Sequence, residues 1–289
     1  MVSDIAVGSA AETGKQRRLL RLFSKDGRNR CVICPVDDSL IAGPIEGLED
    51  LNNKLQRIVA ARPDGVLLHP GALIRFSHIL RETPVIVNLT ASTIRSTHTR
   101  KVRTWSVRAA VRMGADAVAA HLNLTSKFES EMLETAAQIS EDCDSAGIPF
   151  IAIVYPRKEG TSGDENYFDL RDNSKDEYTS LVSHCARVAV ELGASIVKVP
   201  YTGTVKSFEK VVESACGIPV IVAGGPLVDV DIALRNAHEV IEAGGAGPSF
   251  GRNTFGRDDP FPLVRALRDI AHNDISTKEA KEIYLRGGY

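Results

Sequence analysis

Cysteine is scarce in this chain: five in 289 residues, namely Cys31, Cys34, Cys143, Cys185 and Cys216. An odd, scattered set in a chain of this length excludes a disulfide scaffold and reads as reduced thiols of a cytoplasmic protein. Long apolar runs are also missing. The longest, such as Phe150 to Tyr155, have only strand length against the roughly 20 residues that span a bilayer, so no membrane association is expected. A brief apolar patch, Ile5 to Ala11, follows Asp4 and precedes the basic Lys15, Arg17 and Arg18, the reverse of a signal peptide. Charge of one sign is lacking: 35 basic against 37 acidic residues leave −2, without the basic excess of a nucleic-acid-binding surface. Small molecules are the expected partners. Metal-ligand spacing is absent from the seven histidines, and the Cys31-x-x-Cys34 pair would face opposite sides of a strand.

Short β-branched runs are abundant. Eight occur: Cys31 to Val36, Gly65 to His69, Pro84 to Leu89, Ala115 to Leu122, Pro149 to Tyr155, Ser195 to Pro200, Pro219 to Ala223 and Ala246 to Phe250. Segments with helical apolar spacing follow them: Leu48 to Ala61, Ala72 to Arg81, Thr104 to Met113, Glu129 to Ala146, Tyr178 to Leu192, Val205 to Ala215, Val230 to Ala243 and Leu263 to Ala271. The repeat is about 31 residues, the minimal strand-helix-strand unit. Gly147, Gly193 and Gly244 stand where left-handed residues end helices, and Asp258-Asp259-Pro260 is a helix entry. The pattern predicts one α/β domain, a (β/α)8 TIM barrel over residues 31–272. Residues 1–30 are expected to form a leading helix across its base and 273–289 a short C-terminal tail, packed on a neighbour or mobile. An open doubly wound sheet competes, but no Gly-x-Gly-x-x-Gly turn follows the first run and no linker divides two lobes.

Barrel active sites lie at the carboxyl ends of the strands. There the first run gives Asp37 and Asp38, the fourth His121 and Asn123, the fifth Tyr155-Pro156-Arg157, and the sixth Lys198. Alternation puts Lys198 with Ile196, Tyr155 with Ile153, and Asp37 with Ile33 and Pro35. If those faces point inward, an amine, a phenol and a carboxylate meet at the mouth. Desolvation keeps such an amine neutral and nucleophilic, whereas a rim lysine would only hold a salt bridge. An iminium is its own electron sink, so no cofactor or metal is called for. The seventh and eighth runs end in Gly224-Gly225 and Gly251-Arg252, the loops that commonly form a barrel's phosphate site, although Gly224-Gly225 alone would also suit a tight turn.

These motifs carry a resemblance over nearly the whole chain. Gly14-Lys15 with Arg18, Pro35-x-Asp37 with Gly43-Pro44, His121-x-Asn123, Tyr155-Pro156-Arg157, Val197-Lys198-x-x-Tyr201-Thr202-Gly203, Ala223-Gly224-Gly225-Pro226 and Gly251-Arg252-Asn253 are similar to the archaeal-type class I aldolases. That family includes fructose-bisphosphate aldolases and 2-amino-3,7-dideoxy-D-threo-hept-6-ulosonate synthase. The resemblance implies Lys198 as the Schiff-base lysine, Tyr155 as acid/base and Asp37 as assisting carboxylate. It implies a phosphorylated small-molecule substrate and a homo-oligomer, often a decamer. Departures from the family pattern are Asp38-Ser39 for His-Gly, Lys158 for Gly and Leu227 for Lys. With the long polar 158–175 segment beside Tyr155, they point to a specialised acceptor. The expectation is dihydroxyacetone phosphate as donor at Gly224, Gly225, Gly251 and Arg252, with aspartate semialdehyde as a candidate acceptor entering from the opposite side, over Asp38 and Lys158.

Four other readings stay open: a Schiff-base transaldolase, a fructose-bisphosphate aldolase of central metabolism, a phosphate-binding isomerase using Asp37 and Tyr155 without covalent attachment, and a retired enzyme that only binds sugar phosphate. Intact Lys198, Tyr155 and Asp37 argue against the last. His69 either lines the mouth or is a satisfied core histidine. Trp105 and Arg100-Lys101 read as ordinary helix-entry features.

Overall fold

A computed structural model describes residues 9–24, 26–159 and 167–288. Its strands are β1 (Ile33–Pro35), β2 (Gly65–Leu68), β3 (Val85–Asn88), β4 (Thr90–Ala91), β5 (Val102–Arg103), β6 (Ala117–Asn123), β7 (Phe150–Tyr155), β8 (Ile196–Pro200), β9 (Val220–Ala223) and β10 (Gly247–Ser249). The helices are α1 (Ala10–Leu22), α2 (Asp38–Ala42), α3 (Leu51–Ala60), α4 (Pro70–Phe76), α5 (Val107–Arg112), α6 (Glu129–Ala146), α7 (Phe168–Asn173), α8 (Lys175–Glu191), α9 (Val205–Ser214), α10 (Val230–Glu242), α11 (Arg252–Phe255), α12 (Phe261–Asn273) and α13 (Thr277–Leu285). Eight parallel strands close in the order β1-β10-β9-β8-β7-β6-β3-β2, the expected (β/α)8 barrel. Among the described residues no helix is long and apolar enough to cross a membrane.

Both faces of each barrel strand are buried, which is why the runs read as continuous apolar stretches rather than alternating ones. Ile33, Leu67, Ile86, Ile151, Ile153, Ile196 and Ile221 fill the interior, and Val66, Val87, Val118, Val197 and Val222 face the helical layer. Cys31 belongs to the interior and Cys34 to the outer layer, so that pair is split as its spacing implies. Gly147, Gly193 and Gly244 have φ of 64, 80 and 81°, the left-handed helix ends expected of them.

The leading helix closes the base. Ser9 and Glu12 form its capping box, and Leu22 is fully buried against Cys31 and the interior isoleucines. The Gly14-Lys15-Arg18 motif docks this helix on the end of α6. Arg18 Nη1 donates to the Gly147 carbonyl at 2.8 Å, Lys15 pairs with Asp144 at 3.3 Å, and a Cβ on Gly14 would stand 3.1 Å from that same carbonyl. The C-terminal segment is not a loose tail. Ser276 and Glu279 cap α13, which packs on α10 and α12 of its own chain, buries Ala280 and pairs Lys281 with Asp231 at 2.6 Å.

Two connections differ from the sequence expectation. Residues 90–103 form an antiparallel hairpin, with Thr90 opposite Arg103 and Ala91 opposite Val102. The hairpin is pinned above the barrel because the Thr90 hydroxyl accepts from the His121 amide at 2.8 Å. In the long 158–175 segment, residues 160–166 lie outside the described residues, and the remainder includes α7 and the start of α8.

Candidate active site

The carboxyl end of the barrel holds a cavity of about 270 Å³ lined by Asp37, Asp38, His98, His121, Tyr155, Arg157, Lys198, Gly224, Gly225, Ser249, Gly251 and Arg252, among others. Larger depressions exist. One of about 760 Å³ lies under the barrel beside α1, far from this constellation. Another, of about 650 Å³, meets the mouth cavity across Ala223, Gly224 and Gly225. Of the three, the mouth cavity is the one that gathers the amine, phenol and carboxylate.

Lys198 sits mid-strand in β8, in register with Ile153 on one side and Ile221 on the other, and is only 7% exposed. Burial lowers its basicity and Arg252 adds to that effect, while Asp37 and Asp38 oppose it. An apolar wall thus favours the neutral amine and two carboxylates limit the shift. Asp37 leaves β1 and accepts from Asn88 Nδ2 at 2.8 Å; Asn88 Oδ1 in turn accepts from the Thr90 amide at 3.1 Å. Tyr155 ends β7, its ring 5.0 Å from that of His121 and 4.9 Å beneath the Arg157 guanidinium.

His121 is held neutral: burial pushes its pKa well below the usual value, and Lys101, Arg157, His98 and Lys198 push the same way. Its Nε2 lies 3.1 Å from Asn123 Oδ1, and the Asn123 amide nitrogen donates to the Thr99 carbonyl at 2.9 Å. That orientation makes Asn123 the acceptor and puts the histidine proton on Nε2. Asn123 itself is fully buried and is not among the residues lining the cavity; its side chain meets His121.

The glycine loops sit on one side. Gly225 has φ 66°, and Asn253 braces its loop by donating to the carbonyls of Gly224 and Pro226 at 3.0 and 2.9 Å. Gly251 and Arg252 face the cavity next to them, with Arg252 Nε 3.9 Å from Asp38. The two glycine loops and the Arg252 guanidinium thus share one side of the cavity.

The profile of the DeoC/LacD family aldolases matches residues 31–257. The chain belongs to that family. It is 39% identical over 93% of its length to 2-amino-3,7-dideoxy-D-threo-hept-6-ulosonate synthase 1 of Archaeoglobus fulgidus, covering 95% of that protein. It is 35% identical to 2-amino-4,5-dihydroxy-6-oxo-7-(phosphonooxy)heptanoate synthase of Streptomyces griseus, covering 91% of this chain and 92% of that one. An archaeal fructose-1,6-bisphosphate aldolase, solved with its catalytic Lys covalently bound to a carbinolamine intermediate, superposes with a TM-score of 0.77 at 28% identity, over 88% of this chain and 98% of that one. As a DeoC/LacD aldolase the chain is a class I, Schiff-base lyase.

In this DeoC/LacD barrel Lys198, Tyr155, Asp37, His121, Asp38, Gly224, Gly225, Gly251 and Arg252 all line one cavity. Asp38 lies beside Arg252, not across the cavity from it. Lys158 and Leu227 are exposed and do not line the cavity. His69 also stays outside it; its Nδ1 lies 3.2 Å from the Asn88 carbonyl. Local sequence assigned no role to His98, Lys101, Asn88 or Ser249. Lys101 is no helix-entry residue: it is 4% exposed in the hairpin, its Nζ 2.7 Å from Ser92 Oγ. The signal available was length, because the stretch from Leu89 to Thr104 far exceeds the usual 2–6 residues between a strand and its helix.

Proposed function

We propose that Lys198 forms a Schiff base with a three-carbon phosphorylated ketone, and that the enzyme joins this donor to an aldehyde carrying an amino-acid group. The observation that carries the reading is Lys198 itself, an amine buried in a barrel strand, lowered in basicity and facing the cavity that Asp37 and Tyr155 also line. Its neutral Nζ attacks the ketone carbon. The carbinolamine loses water, assisted by Asp37, to give an iminium, and Tyr155 takes a proton from the adjacent carbon to give an enamine. The enamine carbon attacks the aldehyde carbon while Tyr155 supplies the proton to the aldehyde oxygen, and water then releases the product from Lys198.

The substrate class follows from the relatives' product names. A 2-amino-4,5-dihydroxy-6-oxo-7-(phosphonooxy)heptanoate divides at the C4–C5 bond by the aldol rule, because the carbonyl is at C6 and the new hydroxyl at C4. The halves are dihydroxyacetone phosphate and aspartate semialdehyde. The 2-amino-3,7-dideoxy product keeps the same amino-acid half and differs at C7. The acceptor half is common to both. A fructose-bisphosphate aldolase would run the same chemistry with glyceraldehyde 3-phosphate as acceptor.

Borohydride added with dihydroxyacetone phosphate should reduce the iminium to a stable adduct on Lys198, absent in Lys198→Ala. An unmodified Lys198 by peptide mass mapping would overturn the covalent mechanism in favour of noncovalent proton transfer.

A further inference from the structure

The cavity has a second charged end, and nothing in the donor chemistry uses it. Arg157 lines the cavity, is 5% exposed and lies two residues beyond Tyr155. Its guanidinium stacks over the rings of Tyr155 at 4.9 Å and Tyr167 at 5.8 Å. Nη1 reaches His98 Nε2 at 3.2 Å. Arginine only donates, so His98 must accept there, with its own proton on Nδ1.

The hairpin packs against the other edge of the ring, where Lys101 Nζ stands 3.5 Å from His98 Nδ1. His98 Nδ1 is 3.3 Å from Ser92 Oγ, and that hydroxyl donates to the His98 carbonyl at 2.8 Å while the Lys101 ammonium donates to it at 2.7 Å. With Lys101 on one side and Arg157 on the other, a protonated His98 would be the third positive charge in a buried cluster. The hairpin tip is itself clamped. Thr99 Oγ1 and Ser126 Oγ both donate to Glu159 Oε1, at 2.7 and 2.6 Å, tying the hairpin to the residues that follow β6 and β7. Arg157 is therefore aimed by three neighbouring connections.

We propose that Arg157, oriented by the neutral His98 and backed by the Lys101 charge, binds the carboxylate of the amino-acid aldehyde and selects it as acceptor. A planar guanidinium fork fits a carboxylate in two parallel hydrogen bonds. The placement suits the chemistry. Tyr155 and Arg157 line the same cavity, so an acceptor whose aldehyde oxygen meets the phenol has the guanidinium within reach of its far end. The Gly224, Gly225 and Arg252 end lies on the other side of Lys198, beyond β9 and β10, so the anionic groups of the two substrates are met at separate places.

This assignment rests on the aldolase reading above, and its test separates the two. L-Homoserine, the alcohol counterpart of the acceptor, cannot react, so its binding reports the subsite without catalysis. Calorimetry should find it bound by the wild type and by His98→Gln, whose amide oxygen replaces the imidazole acceptor, and at least about tenfold more weakly by Arg157→Gln, Arg157→Lys and His98→Ala, as for loss of a charged hydrogen bond. 1-Butanol, lacking the carboxylate, should bind none of them measurably. In turnover, the acceptor KM should rise by a similar factor in those three variants while borohydride trapping of dihydroxyacetone phosphate on Lys198 continues. Homoserine binding unchanged in Arg157→Gln, equal use of butanal and aspartate semialdehyde, or a preference for glyceraldehyde 3-phosphate would each overturn the carboxylate assignment. Failed trapping with intact homoserine binding would overturn the Lys198 reading and leave Arg157 as the carboxylate site.

Discussion

The side-chain amide of Asn88 donates to Asp37 Oδ2 at 2.8 Å, joining the end of β3 to the end of β1 beneath the mouth cavity. Thr90 fixes the amide from the other side, through its backbone amide at 3.1 Å and its hydroxyl at 3.2 Å. Asp37 is therefore held by one oxygen in a set orientation, and its charge partly offsets the burial of Lys198.

Removing that brace should slow catalysis without emptying the site. Asn88→Ala is expected to lower kcat about 10- to 100-fold, the equivalent of one hydrogen bond to a charged group. Asn88→Asp should be worse, because it sets a like charge against Asp37. Unchanged steady-state kinetics in Asn88→Ala would show that Asp37 needs no orienting partner.

Tyr155→Phe should still form the borohydride-trapped adduct on Lys198 but lose about 10²-fold or more in turnover, as when a general acid/base is removed and the nucleophile stays. Near-normal turnover would move proton transfer to Asp37 or to a water held by His121.

Arg252→Ala is expected to raise the KM for dihydroxyacetone phosphate at least about tenfold and to change that for unphosphorylated dihydroxyacetone little, since a charged hydrogen bond to the phosphate is lost. An equal loss for both donors would mean that Arg252 supports the loop through Asp38, with the phosphate bound elsewhere.

His98 gives stability a specific acid dependence. Burial first, then Lys101 and Arg157, push its pKa down to about 3 from the ordinary 6.5. Below about pH 6.5 the unfolded chain takes up a proton at His98 that the folded protein refuses until about pH 3, so stability falls with acid across that window. His98→Gln does not titrate. Its urea midpoint should decline less steeply than wild type between pH 6.5 and 4; parallel curves would mean that the folded protein protonates His98 normally.

The barrel was legible because its strands are buried on two faces and its helices on one. Those demands write β-branched runs and helical spacing directly into local sequence, and residues such as Gly147 and Gly193 mark the ends. Alternation along a strand likewise placed Lys198 with Ile196 and Tyr155 with Ile153 on the inner face. What alternation cannot carry is anything that depends on residues far apart in the chain. Arg157 and His98 are 59 positions apart, and Asn88 and Asp37 are 51. Their pairing exists only after the barrel closes and the 90–103 hairpin folds over its mouth. The same holds for Lys101, a polar residue in a polar stretch by sequence, which tertiary structure buries beside a histidine. Local patterns record which face a side chain presents; burial, tautomer and charge environment are set by neighbours that only the closed fold supplies.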